Sequence, residues 1–198
     1  MTKIVAITGG IGSGKTTLSK YLNNLGFVVH ESDKVVSAIY SKPSKPFINI
    51  LKKNISNNVV RGGKINKKKV AHVIFNNNQI KKNLETYIHK EVEKSRDLFI
   101  KKNIKNKKGV IFVDIPLLLE KKLEKKFTFV ICIISQKKIR TERVLKNKKF
   151  SKTVLKKILI SQTTDKERKT RSQIIIYNNK TKKDFIFSVK KALIKVLK

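Results

Sequence analysis

Eight consecutive residues near the start of the chain have the types and the spacing to bind phosphate. Gly9 to Thr16 read GGIGSGKT and fit the pattern G-x-x-x-x-G-K-[ST]. Glycines allow a backbone to form a concave nest whose N–H groups point at phosphate oxygens, and a helix that begins there adds the positive end of its dipole. Lys15 would reach the β- and γ-phosphates of a nucleotide, and the Thr16 hydroxyl would bind Mg²⁺. The predicted nucleotide ligands are Gly10, Ile11, Gly12, Ser13, Gly14, Lys15, Thr16 and Thr17.

The residues on either side of this loop support the same interpretation. An apolar run at 4–7 precedes the loop and a helical pattern at 17–25 follows it, which is the strand, loop and helix order that a phosphate-binding loop (P-loop) requires. The alternative is a glycine-rich turn without function. No N-K-x-D element is present in the sequence, which argues against a guanine-nucleotide hydrolase.

Two aspartates follow other apolar runs and could take part in phosphate chemistry. Asp114 ends the run at 110–113, a setting typical of a carboxylate that holds Mg²⁺ directly or through water. Asp33 follows the run at 27–30 and could accept the proton of an acceptor hydroxyl during phosphoryl transfer. The alternatives are a loop or helix cap for Asp114 and the N-cap of a helix beginning near Lys34 for Asp33.

Two arginines stand out because lysine supplies most of the basic residues. Arg140 and Arg143 are three residues apart in a predicted helix, so they lie on one side of it. A planar guanidinium can bind phosphate through two parallel hydrogen bonds, a geometry that a lysine ammonium does not offer. The presence of arginine at both positions therefore indicates phosphate binding, with a solvated helix face as the alternative.

Short apolar runs predict the strands that would position these residues, at 4–7, 27–30, 110–113, 127–134 and 174–177. Helical patterns alternate with them, at about 17–25 (ending at Gly26), 136–146, 151–161 and 183–197. This order predicts an α/β fold with a parallel sheet covered on both faces, whose ligands bind beyond the carboxyl ends of the strands. The stretch from about 34 to 105 has mainly helical periodicity and predicts an inserted helical subdomain.

Composition narrows the possible partners. A chain of 198 residues fits one compact domain, and no apolar run approaches the length of a membrane span. The single cysteine, the absence of a leader-like N-terminal segment and the absence of such a run predict a cytoplasmic protein with no membrane partner. The formal net charge of +35 could indicate nucleic-acid binding. Lysines spread along the whole chain and the absence of tryptophan instead favour compositional bias and no specific nucleic acid.

Several segments, taken in order, resemble the dephospho-CoA kinase family. They are TGGIGSGKTT at 8–17, ESD at 31–33, VIFNN at 73–77, LETYIH at 84–89, VDIPLLLE at 113–120, Gln136 with Arg140 and Arg143, Gln162 in ISQ, and IIYNN at 175–179. VDIPLLLE and LETYIH are the most specific of them, since the P-loop alone does not separate one kinase from another. The resemblance extends over nearly the whole chain.

The resemblance implies a single domain, 1–198, with a P-loop kinase core of five parallel strands. It also implies a helical acceptor-binding subdomain at about 34–105 and a short lid at about 136–160 within that domain. The implied reaction uses ATP and Mg²⁺ to phosphorylate the ribose 3′-hydroxyl of dephospho-CoA, giving coenzyme A. The enzyme is expected to be a monomer or a weak homo-oligomer. The implied catalytic residues are Asp33, Lys15 and Arg140, and the implied Mg²⁺ ligands are Thr16 and Asp114. Rival interpretations are another P-loop nucleoside or nucleotide kinase and a nucleic-acid-binding ATPase.

Overall fold

The computed structural model describes residues 1–147 and 151–198. They form two compact units. The first comprises Met1–Glu31 and Ile100–Lys198, and the second comprises Ser32–Phe99. The second unit, with bounds at 32 and 99, overlaps the stretch of about 34–105 for which a helical subdomain is predicted.

The secondary structure follows in chain order. The strands are β1 (Lys3–Gly9), β2 (Val29–Glu31), β3 (Val60–Arg61), β4 (Lys64–Ile65), β5 (Val110–Asp114), β6 (Phe129–Ile134) and β7 (Ile174–Tyr177). The helices are α1 (Lys15–Asn24), α2 (Ser32–Ser41), α3 (Lys45–Asn54), α4 (Lys67–Asn76), α5 (Asn78–Lys105), α6 (Lys137–Lys146), α7 (Lys152–Ser161), α8 (Asp165–Thr170) and α9 (Lys182–Leu197). Short 3₁₀ turns occupy Asn57–Val59 and Glu124–Lys126. Among the described residues, no helix combines the length and the apolar character needed to cross a membrane.

The first unit contains a five-stranded parallel sheet in the order β2-β5-β1-β6-β7. The predicted α/β class with a five-stranded parallel sheet is therefore confirmed. The register places Asp114 of β5 between Ile7 of β1 and Glu31 of β2. The carboxyl ends of these three neighbouring strands consequently meet at one edge of the sheet, where the loop after β1 also begins.

The core of this unit explains why the strands read as continuous apolar runs. Central-strand side chains such as Val5 and Ile131 are buried together with residues of α1 and α9. Leu18 and Leu22 of α1 are four residues apart, so both lie on the helix face that packs on the sheet. Burial on both faces leaves no reason for polar residues to alternate along a strand.

The predicted end of α1 at Gly26 is confirmed. Gly26 has φ +84°, a left-handed conformation that favours glycine. Its N–H donates to the carbonyl of Asn23, and the N–H of Phe27 donates to the carbonyl of Leu22. These hydrogen bonds satisfy carbonyls at the helix end and turn the chain toward β2.

The second unit is mainly helical and has its own core, formed by Phe47, Leu51, Val59, Val70 and Leu84. Tyr87 of α5 stacks on Phe47 with 5.2 Å between the ring centroids. The β3–β4 hairpin was missed by the sequence analysis because each strand has only two residues. Its turn contains Gly62 and Gly63, both with positive φ, as a tight two-residue hairpin turn requires.

Candidate active site

The loop between β1 and α1 packs too closely on its neighbours for side chains at its glycines. A methyl group on Gly14 would lie 2.4 Å from the Asn178 side-chain nitrogen, and one on Gly12 would lie 2.7 Å from the Arg140 carbonyl oxygen. Both glycines also have positive φ, of +115° and +73°. The loop conformation thus depends on glycine for both backbone angle and space.

Lys15 begins α1 and its side chain folds back over the loop. Its Nζ donates to the Gly9 carbonyl at 2.9 Å and lies 3.5 Å from the Gly10 carbonyl. These carbonyls hold the ammonium group above the first two glycines. The position suits a cation that attracts nucleotide phosphates, because the charge is placed before the ligand arrives.

The carboxyl ends of β5 and β2 bring two carboxylates to the sheet edge beside the loop. Asp114 is 4% exposed, and Glu31 is its register partner on β2. Thr16, in the first turn of α1, is exposed. Glu31 was not predicted as a site residue, because only the strand order shows that it neighbours Asp114.

Hydroxyl and carboxylate oxygens are donors of the kind that Mg²⁺ takes. Within 1–147 and 151–198, no group of three or more His, Cys, Asp or Glu side chains could hold a metal ion alone. Mg²⁺ in nucleotide sites commonly needs only one or two protein carboxylates, with phosphate oxygens and water completing its six ligands. A hydroxyl from Thr16 and a carboxylate from Asp114 are consistent with that role.

Arg140 of α6 lies directly on the P-loop. A methyl group on Gly10 would be only 2.0 Å from Arg140 Nη1, so the guanidinium fills the space that a side chain there would need. Arg140 is 7% exposed, and its Nη2 donates to Asp165 Oδ2 at 3.3 Å. Burial lowers the pKa of the Arg140 guanidinium, Asp165 opposes that shift, and the nearby cation of Arg168 adds to it. The group stays charged, since an arginine titrates far above neutral pH.

Arg143 lies near different partners from Arg140, although the two are one helical turn apart. Its Nη1 is 3.4 Å from the Ser135 hydroxyl and its Nη2 is 3.3 Å from Asn178 Oδ1. The predicted pair is therefore split between two places, with Arg140 at Gly10 and Arg143 beside Asn178. The solvated-face alternative is wrong for Arg140, which is buried.

A groove of about 550 Å³ opens beside α1, next to the P-loop. Its lining combines apolar and aromatic side chains with amides and cations, as ligand sites commonly do. The lining residues are Gly14, Thr17, Lys20, Tyr21, Asn24, Arg143, Asn178, Lys180, Lys182, Phe185 and Ile186. Asn178 is buried and donates through Nδ2 to the Ser13 carbonyl at 2.7 Å, so it ties the end of β7 to the loop. Sequence reasoning did not identify Asn178 as a site residue, although it lies in the IIYNN segment.

The segment around α8 also reaches the P-loop, which the sequence analysis did not predict. Gln162 Oε1 accepts a hydrogen bond from the Ile11 N–H at 3.0 Å. Arg168 is 3% exposed, and its Nη1 is 3.3 Å from the place of a methyl group on Gly10. Asp165 pairs with Arg168 at 2.8 Å as well as with Arg140.

Asp33 belongs to the second compact unit. It is the second residue of α2 and is exposed. Because α2 begins at Ser32, directly after β2, Asp33 lies in the first turn of the helix. The predicted lid at about 136–160 includes α6 and α7, and its residues 148–150 lie outside the described residues.

Proteins of a known family are similar to this chain. The family model for dephospho-CoA kinase (CoaE) matches residues 3–184. A dephospho-CoA kinase of Fusobacterium nucleatum is 31% identical over 192 residues, covering 95% of each chain. One from Buchnera aphidicola is 34% identical over 186 residues, covering 91% of this chain and 82% of the relative. The solved dephospho-CoA kinase of Campylobacter jejuni has a TM-score of 0.74 and 26% identity, covering 99% of this chain and 98% of that one.

The family match runs from β1 into the first turn of α9 and so includes the P-loop, α6 and α8. The resemblance inferred from the sequence motifs is confirmed. This chain belongs to the dephospho-CoA kinase family, the enzymes that use ATP to phosphorylate dephospho-CoA in the last step of coenzyme A synthesis.

Proposed function

We propose that the chain binds Mg²⁺-ATP at the P-loop and transfers the γ-phosphoryl group to the ribose 3′-hydroxyl of dephospho-CoA, with Asp33 as the base. The observation that carries the proposal is the meeting of two cations at the first glycines of the loop. Lys15 Nζ is 2.9 Å from the Gly9 carbonyl, and Arg140 Nη1 fills the side-chain space of Gly10. Two fixed cations at one point are what a transferring phosphoryl group needs.

The donor half of the site follows from the loop and the neighbouring groove. The loop amides and Lys15 would hold the phosphates, and the groove beside Tyr21 and Asn178 has room for the adenosine. Thr16 and Asp114 would hold Mg²⁺, which neutralises charge on the β- and γ-phosphates when it is bound.

In the transfer step, the 3′-oxygen attacks the γ-phosphorus and the bond to the β,γ-bridging oxygen breaks. The hydroxyl proton passes to the Asp33 carboxylate, and ADP leaves. Support for Asp33 comes from its exposure and from its position in the chain. It is two residues after Glu31, the last residue of β2, and two residues of chain span at most about 7 Å. Arg140 would stabilise charge on the phosphoryl oxygens as the bonds change.

The second unit, which overlaps the predicted subdomain at about 34–105, would bind the acceptor dephospho-CoA. Its support is topological, since this unit is inserted between β2 and β5 and has a separate core. The enzyme would act in the cytoplasm as a monomer or weak homo-oligomer. The competing assignment, another nucleoside or nucleotide kinase, predicts phosphorylation of free nucleosides or nucleotides in a substrate panel.

The test is turnover by the Asp33→Asn variant, measured as ADP formation with saturating ATP, Mg²⁺ and dephospho-CoA. Loss of the base should lower kcat by about a hundredfold or more, with ATP affinity by calorimetry changed by less than about threefold. Asp97→Asn is the matched control. It removes one negative charge from the same unit, its side chain is 55% exposed, and its partner Arg96 keeps an ion pair with Glu93 at 2.9 Å.

Near-normal kcat in Asp33→Asn would refute the base assignment. A large loss of Mg²⁺-ATP affinity would instead place Asp33 among the metal ligands. Wild-type enzyme that phosphorylates nucleosides or nucleotides and not dephospho-CoA would contradict the proposed acceptor.

A further inference from the structure

The turn before α8 and the first residues of that helix, 162–168, form an arm that touches the nucleotide loop. The Ile11 N–H donates to Gln162 at one end of the arm, and Arg168 approaches Gly10 at the other. Asp165 lies between these two contacts. The arm can therefore affect the position of side chains at the P-loop, although its residues are not part of that loop.

Asp165 joins two arginines through its two carboxylate oxygens. Oδ2 accepts from Arg140 Nη2 at 3.3 Å, and Oδ1 accepts from Arg168 Nη1 at 2.8 Å. Arg168 also pairs with Glu120 at 3.8 Å. Glu120 in turn accepts the N–H of Thr163 at 2.9 Å. Arg140 is thereby connected through Asp165 and Arg168 to the loop that follows β5.

The position of Arg140 depends on this carboxylate. Within the described residues, Arg140 forms a single ion pair, and its partner is Asp165. Arg140 Nε is buried and, among those residues, has no hydrogen-bond partner. Arg168 brings a second positive charge to the same place, so Asp165 also offsets repulsion between the two guanidinium groups.

We propose that Asp165 is a positioning residue for phosphoryl transfer. Its carboxylate accepts a hydrogen bond from Nη2 of Arg140, while Nη1 faces the loop at Gly10. The inference rests on the proposed function of Arg140 as the cation that stabilises the transferring phosphoryl group. Arg140 is buried and held at Nη2, and the guanidinium is a rigid plane, so the direction of its Nη1 donors follows from this contact. A misplacement of about 1 Å can cost about a hundredfold in rate.

The placement of Asp165 does not itself depend on the arginines. Thr164 caps α8, and its hydroxyl accepts the Glu167 N–H while the Glu167 carboxylate accepts from the Thr164 N–H and hydroxyl. This reciprocal capping box defines where the helix starts. Asp165 is the first helical residue after the cap, so its backbone position is set locally.

The experiment compares steady-state kinetics of Asp165→Asn with those of Glu167→Gln. Asn keeps the shape of the side chain and removes the charge, so kcat should fall at least about tenfold with the KM for ATP changed by less than about threefold. Glu167→Gln removes one charge from the same helix and can still cap it, so its kcat should stay within twofold of wild type. Asp165→Glu keeps the charge with a longer side chain and should give an intermediate kcat.

A double-mutant cycle separates positioning from a structural effect. In an Arg140→Ala background, Asp165→Asn should cause no further loss of kcat, because the residue through which it acts is absent. The proposal would be overturned if the two substitutions lowered kcat by independent factors that multiply in the double variant. It would also be overturned if Asp165→Asn alone kept a kcat within twofold of wild type. If the Tm shows that the Asp165→Asn variant does not fold, Asp165→Glu takes its place in the same double-mutant cycle.

The two proposals fail in different ways. Near-normal kcat in Arg140→Ala would refute the proposed role of Arg140 itself. A disabled Arg140→Ala enzyme together with a fully active Asp165→Asn enzyme would refute only the positioning role of Asp165.

Discussion

Gly10→Ala tests whether the contact between Arg140 and the P-loop matters for catalysis. Gly10 does not have positive φ, so alanine can adopt its backbone conformation without strain. The new methyl group would lie 2.0 Å from Arg140 Nη1, whereas ordinary contact begins at 3.4 Å. The guanidinium must therefore move by about 1.4 Å, the difference between these two distances.

The expected effect falls on turnover rather than on folding. A displacement of this size at a charge-stabilising group should lower kcat by about a hundredfold, equivalent to about 2.7 kcal/mol in the barrier. The atom that must move is the end of a side chain and not backbone. Alanine also reduces the entropy of the unfolded chain, which stabilises the fold by about 0.4–1 kcal/mol. We expect the free energy of unfolding to change by no more than about 1 kcal/mol.

The assay measures ADP formation with dephospho-CoA as acceptor across a range of ATP concentrations, together with denaturant unfolding of each variant. Gly109→Ala is the control, because a methyl group there would meet no atom within 4 Å and Gly109 does not have positive φ. Wild-type kcat in folded Gly10→Ala would refute the reasoning, since Arg140 would then work equally well from a displaced position. A collapse of stability would show that the contact is structural.

Two further predictions concern Lys15 and Cys132. Lys15→Ala should remove at least nine-tenths of the turnover while the protein stays folded, because Lys15 acts as a point charge on phosphate. A variant that keeps more than about a tenth of wild-type kcat contradicts the assignment, since its transition state has then lost less than ~1.4 kcal/mol of stabilisation. Burial in β6 raises the pKa of the Cys132 thiol to about 11, so iodoacetamide at pH 8 should label it at least about a hundredfold more slowly in the native protein than in urea. Similar labelling rates in the two states would show that the thiol is accessible in the native fold.

Local sequence patterns predicted the features whose cause is local. The P-loop and the end of α1 at Gly26 each depend on residues within a few positions of one another. The strands were recognisable because burial on both faces makes them continuous apolar runs, as in β6. Helix α8 was missed because its six residues carry no apolar period, although Thr164 and Glu167 have the spacing of a capping box.

The arrangement of the site was decided by tertiary structure. Glu31 and Asp114 are neighbours only because β2 pairs with β5, and strand order cannot be derived from the runs themselves. Arg140 and Asp165 are 25 residues apart and meet across two elements. The spacing of Arg140 and Arg143 correctly predicted one helix, but each arginine's partners come from other parts of the chain. A sequence period determines which side of a helix a residue occupies, whereas the packing of distant elements determines what that side faces.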